Sequence, residues 1–306
     1  MIEKQEKIWF DGKLVPWDEA RIHVLSHTLH YGLGVFEGIR CYKREDGGSA
    51  VFRLQEHVDR LLKSALIADL PTTWTEQELC EACLQTIRAN KLDECYIRPL
   101  IFLGEGAMGL FGRESRLHTA IVVWKWGAYL GDEGLREGIR AKVSSFTRPG
   151  INSVMSKAKI VGNYVNSILA KREVVDAGYQ EAIMLDSQGY VSEASGENIF
   201  LVKNGNVFTP PLGSSILPGI TRNTVIHLCD EMGISVTERL VARDEMYVAD
   251  EVFFTGTAAE VTPVREIDNR PIGNRSRGPV TARIQDRFFH VVEGKSQAHA
   301  EWLSVV

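Results

Sequence analysis

An α+β fold in two domains follows from three features of the sequence. Its 306 residues exceed the usual span of one domain. Short β-type runs bounded by Gly, Asn and Asp dominate the middle of both halves, and a few longer stretches carry the apolar period of a helix. A glycine-rich, aperiodic stretch, Gly127-Ala128-Tyr129-Leu130-Gly131-Asp132-Glu133-Gly134, separates the halves. The expected division is a small α/β domain over residues 1–125, an interdomain loop over 126–136 and a larger domain over 137–306.

The first expected element is a hairpin, Ile8-Trp9-Phe10 and Leu14-Val15-Pro16-Trp17 around the turn Asp11-Gly12. The glycines of the segment 27–40 argue against a regular helix, and its end reads as a strand running to Tyr42. A short strand over 51–54 precedes a helix over 55–68, with Val58, Leu61, Leu62, Ala65 and Leu66 on one face. Thr75 followed three residues later by Glu78 is a capping box for a helix reaching Asn90. Strands are expected over 95–103 and 118–126.

In the second half, strands are expected over 139–146, 181–185, 190–192, 198–202 and 251–254. Helices are expected over 164–176 and 221–232, closed by Gly178 and Gly233, with a last one over 279–292.

Composition narrows the function. With 44% hydrophobic and 25% charged residues the chain is of ordinary globular type. A net charge of -5 without a basic face argues against nucleic acid as a partner. No apolar run approaches the roughly 18 residues of a membrane span, and the first residues lack the apolar core of a signal peptide. Cys41, Cys80, Cys83, Cys95 and Cys229 are dispersed, as in a reduced cytoplasmic protein.

Three patterns invite a function they do not support. Gly104-Glu105-Gly106-Ala107-Met108-Gly109 has dinucleotide-loop spacing, but Leu110-Phe111-Gly112-Arg113 does not open a helix. Cys80-Glu81-Ala82-Cys83 lies in a helical pattern with no second pair, which suits packed thiols better than zinc. His23, His27 and His30 lack a carboxylate pattern, so local hydrogen bonding is expected and no metal.

Chemistry centres on Ser156-Lys157-Ala158-Lys159-Ile160-Val161-Gly162-Asn163-Tyr164. A lysine among apolar neighbours becomes a better nucleophile, as Schiff-base chemistry with a carbonyl cofactor requires. Such an enzyme also needs an acid for a pyridine nitrogen, a phosphate cup and donors for a substrate carboxylate. Val191-Ser192-Glu193-Ala194-Ser195-Gly196-Glu197-Asn198 offers two acids. Leu217-Pro218-Gly219-Ile220-Thr221-Arg222 offers a helix N-terminus for an anion. Thr255-Gly256-Thr257-Ala258-Ala259 offers hydroxyls and amides, and Arg60 a positive charge.

With Tyr31-Gly32, Phe36-Glu37-Gly38-Ile39-Arg40 and Tyr96-Ile97-Arg98-Pro99-Leu100, these motifs make the chain resemble the branched-chain amino acid aminotransferases over nearly its whole length. These are fold-type IV pyridoxal phosphate enzymes. The resemblance implies a larger C-terminal domain with a barrel-like β core that binds pyridoxal 5'-phosphate. It implies amino-group transfer between leucine, isoleucine or valine and 2-oxoglutarate, with glutamate and 2-oxo acids as further small-molecule substrates.

The resemblance also implies roles. Lys159, by its spacing to Gly162-Asn163-Tyr164, matches the Schiff-base lysine, whereas Lys157 has no counterpart. Glu193 matches the partner of the pyridine nitrogen and Tyr164 the group near the phenolic oxygen. Arg60, Ile220, Thr221 and Thr257 match phosphate binders, with Gly219 shaping the turn and Leu217 packing on the ring. On the substrate side stand Phe36, Trp126 and Tyr129, the pair Tyr96 and Arg98, and Thr257 with Ala258. Tyr31 and Leu110 would come from a neighbouring subunit, which implies a homodimer at least, able to assemble further to a hexamer. Two alternatives share the cofactor: a D-amino acid aminotransferase and an aminodeoxychorismate lyase. The Tyr96-x-Arg98 pair argues against both.

Overall fold

The structure, a computed structural model, describes residues 2–127, 129–296 and 298–306. In chain order the first elements are β1 (Lys7–Phe10), β2 (Lys13–Pro16), α1 (His27–Tyr31), β3 (Gly34–Phe36), β4 (Ile39–Lys43), β5 (Ser49–Phe52), α2 (Leu54–Ile67), α3 (Glu76–Ala89), β6 (Cys95–Leu103) and β7 (Leu117–Trp124). Then follow α4 (Asp132–Glu137), β8 (Ile139–Val143), α5 (Tyr164–Asp176), β9 (Glu181–Leu185), β10 (Val191–Ala194), β11 (Asn198–Lys203), β12 (Asn206–Thr209), α6 (Ile220–Glu231) and β13 (Val236–Glu238). The chain ends with α7 (Arg243–Tyr247), β14 (Glu251–Gly256), β15 (Glu260–Ile267), β16 (Arg270–Pro271), α8 (Pro279–Val292) and β17 (Leu303–Val305).

These elements form two compact units, each with its own sheet. The first unit comprises residues 1–126, 158–163 and 291–306. Its sheet runs β17-β5-β4-β6-β7-β1-β2, with β3 also paired to β6. The β1–β2 turn needs positive φ at both central residues, and Asp11 (φ 47°) and Gly12 (φ 91°) supply it. Helices α2 and α3 contribute Leu54, Val58, Leu61, Ala65, Leu79, Cys83 and Ile87 to the core, spaced as one helix face each. Leu66, expected on that face, is 80% exposed, because it falls one position beyond the buried stripe. Thr75 and Glu78 form both bonds of the capping box: Glu78 N–H donates to Thr75 Oγ1 at 3.2 Å, and Thr75 N–H to Glu78 Oε2 at 2.8 Å.

The second unit comprises residues 127–157 and 164–290. Its core sheet, a half-barrel, runs β10-β9-β8-β15-β14-β11-β12-β13, with β16 on β15. Strands β15, β8 and β9 pair parallel and β12 pairs parallel to β13, whereas the remaining pairs are antiparallel. Ile139, Ile183, Val191, Ile199, Phe254 and Val264 pack in its core.

Four expectations need correction. The C-terminal segment 291–306 does not join the larger unit, because β17 pairs with β5 at Leu303↔Phe52 and Val305↔Ala50. Residues 158–163 likewise belong to the first unit, through an antiparallel bridge of Ile160 to Val35. The stretch read as an interdomain loop starts the second unit at Gly127 and contains α4 at Asp132–Glu137; its Ala128 lies outside the described residues. The segment read as non-helical forms the short α1, closed by Gly32 in the left-handed region at φ 74°.

The three misleading patterns have structural uses. Gly104–Gly109 lies in the loop joining β6 and β7, and Gly104 accepts from His27 N–H. Cys83 is buried in α3; burial, with the nearby Cys80, pushes its thiol up. His27 Nε2 meets Gly109 O at 2.9 Å and His30 Nε2 meets Val24 O at 2.8 Å. Among the described residues no cluster of His, Cys, Asp or Glu could hold a metal ion.

Replacing Thr75 by Ala removes one bond of the capping box and should destabilise the protein by about 1 kcal/mol. An unchanged midpoint in chemical denaturation would contradict the cap's contribution.

Candidate active site

Lys159 stands on the extended segment that pairs with β3. Its carbonyl accepts from Phe36 N–H at 3.1 Å, its own N–H donates to Ser64 Oγ at 3.0 Å, and Gly162 N–H donates to Gly32 O at 3.0 Å. The amine lies 5.0 Å from the centroid of the Phe36 ring, a cation–π distance. Lys157 has a different fate. In the second unit it donates to the carbonyls of Leu212 and, at 2.9 Å, Ile216. The boundary between the units therefore falls between the two lysines.

Arg60, on α2, is clamped by Glu37. Its Nε donates to Glu37 Oε1 at 2.6 Å and its Nη2 to Oε2 at 2.8 Å. His57 Nδ1 lies 2.8 Å from the same Oε2, and Gly38 N–H donates to it at 3.2 Å. Glu37 is fully buried. Burial alone would raise its pKa; the Arg60 charge and the hydrogen bonds from His57 and Arg60 outweigh it and hold the carboxyl far below its usual range. Burial is also the largest influence on His57, lowering its pKa against the opposing pull of Glu37. Because the ionised Glu37 carboxylate can only accept, His57 Nδ1 carries the proton of this contact.

Strand β6 presents Tyr96 and Arg98 on one face, as the alternation implies. Arg98 Cζ lies 4.7 Å from the Phe36 ring, 5.3 Å from Tyr96 and 5.6 Å from Trp124. Trp126 meets Tyr96 edge-on at 4.7 Å. The Arg98 Nε is buried without a hydrogen-bond partner among the described residues. Gly38 is required here, since a Cβ would fall 1.8 Å from Tyr96 Oη. Tyr31 is 47% exposed, its hydroxyl donates to Met108 O at 2.9 Å, and Leu110 is 84% exposed.

In the second unit Glu193 sits on β10 amid three donors. Arg148 Nη2 lies 2.8 Å from Oε1, while Asn198 Nδ2 and Leu217 N–H each donate to Oε2 at 3.1 Å. Arg148 is itself buried and reaches Ser167 Oγ at 3.3 Å. Helix α6 starts behind Gly219, which offers no side-chain cap to the first-turn amides. A Cβ on Gly219 would fall 2.0 Å from Asn198 Oδ1. Ile220 and Thr221 are buried in this first turn. Thr257 and Ala258 follow β14 in a half-buried turn, and Tyr164 opens α5. Thr255 Oγ1 is buried with no hydrogen-bond partner among the described residues.

A second acid cluster lies in the same unit. Glu181 accepts from Lys171 Nζ at 2.5 Å and Ser195 Oγ at 2.6 Å, and the amine of Lys171 lies 5.1 Å from the Tyr129 ring. Glu197 is held up to about 8, by burial first and by the charge of Glu181 second.

Sequence reasoning missed Glu37, His57, Arg148 and Asn198 as holders of the charged groups. The i,i+3 spacing of His57 and Arg60 on a helix was the one available signal. Arg148 carries no local signal, because its partner is distant in the chain.

Because the folded-state pKa of Glu197 is raised, its protonation stabilises the fold at low pH, and that contribution is lost as pH rises from the ordinary carboxyl range through about 8. Glu197→Gln removes this titration. Its melting temperature relative to wild type should climb by about 5 °C or more between pH 5 and pH 9. A difference that stays constant with pH would contradict the raised value.

The amino-transferase class IV family matches residues 34–267. The chain is 50% identical to the branched-chain-amino-acid aminotransferase of Pseudomonas aeruginosa, covering 100% of this chain and 99% of that one. The crystal structure of the Escherichia coli branched-chain amino acid aminotransferase superposes with a TM-score of 0.96 at 49% identity, over 98% of this chain and 99% of that one. The branched-chain aminotransferase of Thermoproteus uzoniensis, crystallised with norvaline, gives a TM-score of 0.94 at 44% identity, over 98% of this chain and 99% of that one. With most of its length matched by the family and half its residues shared with a full-length relative, the chain belongs to the class IV aminotransferases.

Proposed function

We propose that this protein transfers amino groups between branched-chain L-amino acids and 2-oxoglutarate with pyridoxal 5'-phosphate as cofactor. The observation that carries the reading is Lys159, held by backbone pairing beside Phe36, in a chain half-identical over its full length to a branched-chain enzyme. The norvaline bound by the Thermoproteus uzoniensis relative, an aliphatic amino acid, supports an apolar side chain in the donor.

The donor set fits the cofactor. A helix N-terminus behind a glycine, which supplies no side-chain cap, with Thr221 in its first turn, suits a phosphate monoester, and Gly219 leaves no room for a side chain there. The unpartnered Nε of Arg98 suits a carboxylate. Arg60, Ile220, Thr221 and Thr257 would hold the phosphate, Leu217 the ring face, Tyr164 the phenolic oxygen and Glu193 the ring nitrogen. When bound, pyridoxal phosphate supplies an aldehyde that captures amines and a ring that accepts electron density.

Lys159 would supply the amine that holds the cofactor's aldehyde. Its freed amine would carry the proton taken from the substrate Cα, as base and then acid. Glu193, fixed by Arg148, Asn198 and the Leu217 amide, provides a steady negative partner for a protonated ring nitrogen. Phe36, Tyr96, Trp126 and Tyr129 favour aliphatic side chains and exclude water. Arg98 and Tyr31 provide the polar contacts a glutamate side chain or a carboxylate needs. We assign Tyr31 and Leu110 to a neighbouring subunit's site in a homodimer at least; their exposure in the single chain supports this. The dispersed thiols support a cytoplasmic location, and among the described residues no helix is long and apolar enough to cross a membrane.

Lys159→Ala should abolish both the near-visible absorbance gained with pyridoxal phosphate and turnover of leucine, while Lys157→Met keeps both. Retained turnover by the Lys159 variant would overturn the assignment. In single half-reactions L-leucine should convert the bound cofactor to its amine form and D-alanine should not; the reverse pattern would favour a D-amino acid aminotransferase.

A further inference from the structure

The clamp on Arg60 has a consequence for the cofactor. We propose that Glu37 and His57 are positioning residues that fix Arg60 for the phosphate; this rests on the reading of Arg60 as a phosphate binder. Glu37 lies between β3 and β4, fully buried, with its backbone N–H bonded to Pro99 O at 2.9 Å. Its backbone is thereby tied to β6, a central strand of the sheet. Its carboxylate takes the Nε and Nη2 of Arg60 side by side, the bidentate geometry that leaves a guanidinium one orientation. The Nη1 corner of Arg60 is thereby turned away from Glu37.

His57 completes the device. Its Nδ1–H occupies Oε2 together with Gly38 N–H, so the carboxylate cannot rotate to release Arg60. His57, Arg60 and Ser64 follow one another on one face of α2, and Ser64 Oγ accepts the backbone N–H of Lys159. One helix face therefore sets the arginine and the reactive lysine in a common register. A buried carboxylate and guanidinium are each costly alone and tolerable as a pair. Removing the carboxylate releases the orientation of Arg60 as well as its partner charge.

The test uses the full chain freed of cofactor and measures dissociation constants for pyridoxal phosphate and for pyridoxal, which lacks the phosphate. Glu37→Gln should weaken pyridoxal phosphate by at least about tenfold and leave pyridoxal within about twofold. Equal weakening of both, or no selective weakening, would overturn the inference. Arg60→Met separates the underlying reading. If Arg60→Met is selective for the phosphate form and Glu37→Gln is not, the positioning role fails alone. If Arg60→Met is not selective either, the phosphate reading of Arg60 fails. Circular dichroism checks that Glu37→Gln folds. Should it not, His57→Asn decides, since it keeps the Glu37–Arg60 pair: a selective loss of a few fold supports the device and none contradicts it.

Discussion

The short pairing of Lys159 and Ile160 with β3 is the contact on which the rest of the site depends. It takes a short segment out of the second unit's sequence and sets it against the first unit's sheet through Phe36 N–H to Lys159 O, while Gly162 N–H bonds Gly32 O at the end of α1. Backbone hydrogen bonds have fixed geometry, so they orient the Lys159 side chain more strictly than packing alone would. Two residues earlier, Lys157 commits its amine to two backbone carbonyls of the other unit. Identical chemistry in neighbouring residues is thus separated by where the backbone is bound.

A second constraint is that buried charges must be paired. It accounts for the holders of both charged groups assigned to the cofactor. Glu193 is matched by Arg148, and Arg60 by Glu37. Each pair lies within one unit, so each charged group is pre-oriented by its own sheet and helices. Preorganised charge favours catalysis, because no reorientation is needed when the substrate arrives. The glycines serve the same end. Gly38 lets the Tyr96 hydroxyl approach the backbone, and Gly219 lets Asn198 do so beside α6.

Much of this was legible in the sequence where the determining forces are local. The Asp11-Gly12 turn, the Thr75–Glu78 box and the stripes of α2 and α3 follow from φ preference, capping and periodicity. The motifs around Lys159, Glu193 and Ile220 pointed to the family in which the comparisons place the chain. What escaped was long-range. The partner of β17 is β5, at the opposite end of the chain, and no property of Leu303–Val305 names it. The helix α1 was masked by the segment's glycines, one of which, Gly32, closes it. Arg148 sits in an undistinguished Thr147-Arg148-Pro149 context, and Glu37 showed itself only as a motif letter, because the counter-charges that give them meaning are tertiary.

Backbone pairing should make Lys159, and not Lys157, the residue that carries the cofactor. The most direct measurement is borohydride reduction of the protein loaded with pyridoxal phosphate, followed by peptide mass spectrometry across residues 149–172. The phosphopyridoxyl group should fall on Lys159, with Lys157 unmodified. A label on Lys157, or a label spread over both lysines, would contradict it.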